Sequence, residues 1–565
     1  MPGPALSAQN RFYFVAFFSV ALILTVFVAS WHIPFRIEGD TAYAAKIAQQ
    51  YVAGSADFNR ITLVDPRDLA NDSETWIYWW PPGIVSTFII FFKLGLSASA
   101  AGRLLMLGAA LAGGIGWALV SAMIFDRRIA LALATVPPLF YVFQSSMFFS
   151  FTEGDVLVFS IMPWVFALCI YVVRRIGELS WRQSMLLLWT ACFLLGSLYW
   201  LKFSTLFGTA GLSAFLALAV ARNYSPRRTV LYVIVGLVVF FAPIAVLWNI
   251  NKLLGGDIVM SHISLGAQYA YLTSSTFKAL STVVLPIGAG AERIFRGGHG
   301  LLSDWLVYLP GLALLFLTIG ATFTQISFEF AILGSLLVLA PIVGLVYLTS
   351  HSNYDFILDA GRHASPYWIF LQLLLIALLT REIAAAGRWE RGFRIVLIGL
   401  TAYCCVLAAF IPSAAVKTAL RVPPSGACPP TGLYVATLSQ TNPAAVATAI
   451  RNIIRDDDVV VPATYWLGQE TWLELPGRLL PLTNFWEPLM ETHGRSGADY
   501  FGSTPFRSSR PLRVVLIAPD PYSRPDYDQA VDRIKARFPQ AHDWSLELSF
   551  PTDRVQVWVA NLAAN

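Results

Sequence analysis

The sequence predicts a polytopic α-helical membrane protein that ends in a water-soluble α/β domain. Three observations carry this. The 565 residues are 56% hydrophobic and only 13% charged, against roughly 25% charged in soluble domains. Apolar runs recur along residues 12–412, most of them close to the ~20 residues that a bilayer crossing requires. After Pro423 the chain becomes turn-rich and polar, with short strand-like runs. The mean hydropathy of +0.61 agrees.

The runs fall at 12–31, 98–124, 129–148, 156–173, 184–200, 203–221, 229–250, 301–320, 328–349, 366–380 and 393–412, giving eleven expected spans. The first lacks the basic leader of a signal peptide and is read as an uncleaved anchor. Residues Ile84–Leu96 follow Pro81-Pro82 and are too short for a span. They are read as a helix in the outer interface.

Loop charges test this count, because cytoplasmic loops collect Lys and Arg. With a cytoplasmic N-terminus, the inner loops hold Arg127-Arg128, Arg174-Arg175 with Arg182, Arg222 with Arg227-Arg228, and Arg381, Arg388, Arg391 and Arg394. Counting Ile84–Leu96 as a span would move these later clusters outside. The outer side then receives residues His32–Trp80, Asn251–Gly300 and Ser350–Ser365, and everything after Ile411.

The chain divides into a membrane domain, residues 1–420, and an extracytoplasmic α/β domain, residues 421–565. In the latter, helices are expected at Ala444–Arg455 and Tyr527–Phe538, and strands at Val459–Val461, Arg513–Ala518 and Val555–Ala560. The five cysteines show no zinc-type spacing. Four of them lie in apolar runs, as packing residues do. The formal net charge of +5 is small, and no nucleic-acid partner is expected.

The chemistry-bearing residues gather on the outer side. Glu38-Gly39-Asp40 follows the first span, where a carboxylate costs free energy unless it has a partner or a task. Asp40, or Glu38 in its place, can act as a general base; the competing reading is an N-cap for the helical pattern that contains Tyr43. Trp79 and Trp80 precede Pro81-Pro82, in a segment that suits an interface belt or a sugar-stacking surface. Glu153 and Asp155 end the third span on the same side. Asp40, Glu153 and Asp155 are therefore also candidates for a divalent cation such as Mg²⁺ or Mn²⁺. Lys202 stands between two spans and Arg362-His363 at the start of another, suited to an anion. Snorkelling is the competing reading for Lys202. Arg296, His299 and His351 are weaker candidates.

Acids and cations on one face of a bilayer are what a lipid-phosphate donor requires, since cations neutralise the leaving phosphate and a carboxylate activates the acceptor. In order and sidedness these motifs resemble the GT-C superfamily of polytopic glycosyltransferases, in particular the protein mannosyltransferase and aminoarabinose transferase branch. The matches are Glu38-Gly39-Asp40, Pro81-Pro82, Arg103, Thr152-Glu153-Gly154-Asp155, Lys202 and Arg362-His363-Ala364-Ser365-Pro366. Trp80 stands where a basic residue is usual and His363 where an aromatic is usual.

The resemblance implies a GT-C-like fold over residues 12–410 and a sugar donor carried on a polyprenyl phosphate. It implies inverting transfer to a lipid, glycan or protein acceptor at the outer face of the membrane, expected to be a bacterial inner membrane. Asp40 would be the base, and Lys202, Arg362, His363 and Arg103 would hold the donor phosphate. No cofactor is required. The alternatives are a transporter or flippase, and a ligase using a pyrophosphate-linked donor. A transporter places its charges at mid-membrane and repeats its helix breaks, and neither pattern is present.

Overall fold

The computed structural model describes residues 7–33, 35–37, 40–77, 81–151, 154–255, 269–287, 301–350, 360–380, 388–409, 449–462, 475–480, 505–519, 531–532, 534–550 and 555–564. The first helix, α1 (Ala8–Ala29), starts behind Ser7, whose hydroxyl accepts the Asn10 N–H at 3.2 Å. Its 22 residues reach about 33 Å at 1.5 Å per residue, enough to cross a hydrocarbon core.

Beyond α1 the chain forms its first long loop: a short strand β1 (Arg36–Ile37), helix α2 (Asp40–Val52), and a hairpin of β2 (Arg60–Val64) and β3 (Asp72–Trp76). The loop closes with α3 (Gly83–Lys93), which packs along α2. As expected, Pro81-Pro82 precedes α3, and both prolines are buried. At 11 residues α3 is too short to span.

The membrane domain continues through α4 (Ala98–Ile124), α5 (Arg128–Leu133), α6 (Val136–Gln144), α7 (Asp155–Arg175), α8 (Trp181–Ser197), α9 (Thr205–Asn223), α10 (Pro226–Gly255), α11 (Tyr269–Ser281), α12 (Leu301–Gln325), α13 (Phe328–Ser350), α14 (Ala360–Thr380) and α15 (Arg388–Ala408). Helix α4 lies between α1 and α7. Its small residues permit that: a Cβ on Gly113 would come within 2.2 Å of the Phe159 ring, and one on Gly114 within 2.6 Å of Ile23. Cys169, Cys192 and Cys404 are buried as packing residues, whereas Cys405 is exposed.

Among the described residues nine helices are long and apolar enough to cross a membrane. They match nine of the eleven expected runs. The run 366–380 falls in α14, whose full length is 21 residues. The run 129–148 is not one helix. It breaks at Ala134-Thr135 into α5 and α6, with Pro137-Pro138 in the first turn of α6. Proline lacks the N–H and its ring clashes with the carbonyl four residues back, so the α5 ladder cannot run through it. The end of the run is a turn leading to strand β4 (Ser150–Phe151).

The C-terminal domain holds a five-stranded mixed sheet with the order β6-β5-β7-β9-β8, formed by β5 (Val459–Pro462), β6 (Arg478–Leu479), β7 (Leu512–Pro519), β8 (Ala541–Phe550) and β9 (Val555–Leu562). Strands β5, β6 and β7 are parallel, and β9 runs antiparallel to both β7 and β8. Val459–Val461 and Val514–Ile517 are fully buried, the continuous apolar run typical of parallel strands covered on both faces. The three expected strands are present; β6 and β8 were not expected. Helix is found at residues 449–453, 531–532 and 534–536. The expected domain boundary at 420/421 and Cys428 lie outside the described residues.

Candidate active site

The site is assembled by a two-residue parallel pairing. Strand β1 lies beside β4 with Arg36 opposite Ser150 and Ile37 opposite Phe151. So short a pair is marginal alone, and burial holds it: Phe35, Ile37 and Phe151 have no exposure. The Phe88 ring stacks on Phe151 at 5.7 Å, and Phe35 fills the space that Gly102 leaves. Each strand runs within four residues into a helix opened by an aspartate, α2 by Asp40 and α7 by Asp155. The two acidic segments, remote in sequence, thus leave the same small sheet side by side.

Asp155 is buried and forms an ion pair with Lys202, their side chains 7% and 14% exposed. A buried carboxylate needs such a partner. Lys202 arrives on the turn between α8 and α9, after a single 3₁₀ turn, Leu198–Trp200. Its N–H donates to the Leu198 carbonyl at 3.2 Å, and its own carbonyl accepts the Thr205 hydroxyl at 2.7 Å. The Trp200 indole N–H anchors the turn to the Pro243 carbonyl at 2.8 Å. Helix α3 abuts the turn through Gly83, where a Cβ would stand 2.5 Å from the Trp200 carbonyl oxygen. The Pro-Pro segment, the Lys202 turn and the start of α7 therefore meet at one place.

Two tyrosines complete the surroundings. Tyr141 of α6 and Tyr367 of α14 both lie in the field of the Asp155 charge. Ser145 and Ser365 lie near the Tyr141 hydroxyl. The Tyr367 hydroxyl donates to the Thr205 carbonyl at 3.2 Å, and its ring packs on Gly208. The first turns of α14 are thereby fixed beside Asp155. Arg362 and His363 belong to the first turn of this helix, but their side chains lie outside the description. Sequence reading passed over Tyr141 and Tyr367 because both sit in apolar runs; the available signal was a phenol close to the outer end of a span.

The remaining expected site residues divide as follows. Tyr43 is fully buried in α2. Thr41 is also fully buried, and its hydroxyl has no partner among the described residues. Glu38, Thr152, Glu153, Trp79, Trp80, Arg296, His299 and His351 lie outside the described residues, as does the side chain of Asp40. Arg103 is engaged with the chain end of α1. Its guanidinium donates to the Trp31 carbonyl at 2.8 Å and to the Ile33 carbonyl, and lies over the rings of Trp31 and Phe35 at 5.0 and 5.7 Å. It staples the end of α1 to α4, since the turn after α1 leaves carbonyls that need donors. Among the described residues no three His, Cys, Asp or Glu side chains gather as metal ligands.

No protein-family model matches the chain, and no curated protein matches it by sequence. Its fold, however, matches solved structures end to end. The chain is an integral membrane protein with the fold of the GT-C glycosyltransferases, as its motif order implied. The particular structures it resembles are crystal structures of ArnT from Cupriavidus metallidurans. With ArnT bound to undecaprenyl phosphate the TM-score is 0.54 at 13% identity, over 96% of this chain and 97% of ArnT. With apo ArnT the values are 0.52 and 14% over the same shares. The arabinofuranosyltransferase AftD from Mycobacteria is more remote, at a TM-score of 0.43 and 16% identity, with 42% of AftD covered; nothing is rested on it.

Proposed function

We propose that the protein is an inverting glycosyltransferase that moves a sugar from a polyprenyl phosphate to a lipid, glycan or protein acceptor. The observation that supports this reading is the parallel β1–β4 pairing, whose two strands lead into the helices opened by Asp40 and by Asp155, the latter paired with Lys202. The ArnT fold supports it, because one of the matched structures holds undecaprenyl phosphate.

The Asp40 carboxylate takes the proton of an acceptor hydroxyl. The freed oxygen attacks the anomeric carbon from the face opposite the phosphate. The bond from that carbon to the phosphate oxygen breaks, and its electron pair leaves with the polyprenyl phosphate. The Lys202 ammonium, oriented by Asp155, neutralises the developing charge together with Arg362 and His363. No step of this reading is routed through a metal ion. The pattern of loop arginines supports an N-terminus in the cytoplasm and a reaction on the outer face, and the reading takes the membrane to be a bacterial inner membrane.

The test is transfer from polyprenyl-phosphate sugars by the purified protein in lipid nanodiscs. Turnover by the native chain is expected, with a loss of about 10²–10⁴-fold in Asp40→Asn at unchanged melting temperature. Full activity in Asp40→Asn would remove Asp40 as the base. A substrate-dependent flux across vesicles without any bond cleavage would replace the reaction by transport.

A further inference from the structure

The loop between α1 and α4 carries an open surface pocket of about 630 Å³ at the opposite end of α2 from Asp40. Tyr51, Asp57, Thr62, Asp72, Glu74 and Lys93 are among the residues that line it. Tyr51 stands eleven residues beyond Asp40 on the same helix, a rise of about 17 Å. A molecule in this cavity therefore lies well clear of the reacting atoms while resting on the element that positions the candidate base.

The charges of the lining are unequally used. Asp72 is held by the Arg478 guanidinium at 2.7 and 3.0 Å. Glu74 lies 3.5 Å from Arg60 and accepts the Asp57 N–H at 2.5 Å. No ion pair reaches the Asp57 carboxylate or the Lys93 ammonium among the described residues. Lys93 instead lies 5.6 Å from the centre of the Tyr51 ring, which meets the Phe58 ring edge-on at 6.0 Å. The cavity thus offers strong acceptors, a strong donor and an aromatic wall in a volume typical of ligand sites. A free anion would face three carboxylates, and a cation would face Lys93. A neutral chain rich in hydroxyls uses both, donating to Asp57 and Glu74 and accepting from Lys93, with a sugar face against Tyr51.

We infer that this cavity binds a short stretch of oligosaccharide, as the remote part of a glycan acceptor. The inference rests on the proposed transfer reaction for the word acceptor, and on the cavity alone for oligosaccharide binding. Binding energy gained so far from the chemistry would raise kcat/KM for long acceptors over short ones.

The experiment uses the full chain in nanodiscs on an array of immobilised mannan, galactan, glucan and arabinan fragments, with Asp57→Asn and Tyr51→Ala compared at equal melting temperature. Retention of at least one fragment class is expected, weakened about tenfold in each variant, as loss of one hydrogen bond or stacking contact implies. Retention of no fragment, or equal retention by both variants, overturns the inference. So does a loss by the variants of binding to phosphatidylethanolamine vesicles alone, which would assign the cavity to a lipid headgroup. Hydrolysis of the donor in the absence of any oligosaccharide, with water taking the place of the acceptor hydroxyl and polyprenyl phosphate leaving, reports the Asp40 site separately. Oligosaccharide retention without donor turnover would uphold the cavity and sink the transfer reaction; donor turnover unaffected by the array result would do the reverse.

Discussion

Lys202 and Asp155, 47 residues apart, form one buried ion pair at the junction of α7 and the α8–α9 turn. Read singly, the lysine is a phosphate ligand and the acid a metal ligand. Paired, they are one unit in which the acid orients the cation.

Breaking that unit is expected to be severe. Lys202→Ala removes the ammonium partner of a buried carboxylate, and such losses run to about 3–5 kcal/mol. The double variant Asp155→Leu/Lys202→Met removes both charges and is expected to regain most of the stability while transfer stays at least about 100-fold down. Melting curves and turnover of the single and double variants check this; recovery of activity in the double variant would refute the charge role.

Gly83→Ala tests the junction without touching a charge. Its Cβ would stand 2.5 Å from the Trp200 carbonyl, so the Lys202 turn must shift. A misplacement of about 1 Å at a site costs up to 100-fold. A loss of about 1–3 kcal/mol of stability with transfer reduced further than that loss explains is the expected result, read from melting curves and turnover of the folded fraction.

Arg103→Lys distinguishes a staple from a phosphate ligand. Lysine cannot reproduce the fork that bridges the Trp31 and Ile33 carbonyls. The loss expected is about 1–3 kcal/mol of stability, with the KM for donor unchanged. A raised KM at unchanged stability would restore the phosphate role.

Lys46 gives the chain a pH dependence. No hydrogen bond or ion pair reaches it among the described residues, and burial pushes its ammonium down to about 8. The unfolded value is about 10.4, so the native state binds fewer protons between the two and stability rises with pH across that window. Lys46→Met is expected to stabilise the protein at pH 7, by no more than about 3 kcal/mol, and to flatten the slope. Melting temperatures from pH 7 to 10 for both proteins measure it.

The spans were legible because an apolar run announces itself, and the break before Val136 could have been read from Pro137-Pro138. The tail strands β5, β7 and β9 were legible as short apolar runs. Strand β8 was missed although His542, Trp544, Leu546, Leu548 and Phe550 alternate with polar residues; register shifts and a positive φ of 58° at Asp543 interrupt its pairing. The order of motifs was enough to name the fold. The β1–β4 pair was not legible, because two residues carry no periodicity and their pairing depends on α4 behind them. Nor was the use of Arg103, whose partners are backbone carbonyls and leave no mark in the sequence.

The C-terminal domain is fastened to the first long loop. Arg478 holds Asp72 and the Leu69 carbonyl, while Asp68 accepts the Ser509 hydroxyl at 2.7 Å and its N–H at 2.9 Å. These two bonds from Ser509, the hydroxyl foremost, hold the Asp68 carboxyl below the usual carboxylate range. The contribution is therefore present above the unfolded value near 3.9 and is lost as the pH falls through the folded one. Arg478→Ala is expected to raise hydrogen exchange in residues 65–72 at neutral pH; unchanged exchange there would show that the fastening is carried by other contacts.

Asp72 and Arg478 are separated by 406 residues. At 5–20 residues per second the ribosome needs roughly 20 to 80 seconds to travel from one to the other. For that interval the hairpin stands outside the bilayer with Asp68 and Asp72 hydrated and unfastened. Every span must be threaded before the last wall of the loop arrives. The hairpin is thus braced only after the spans are made, and a chain released before Arg478 would carry the Asp155–Lys202 pair but an unbraced hairpin.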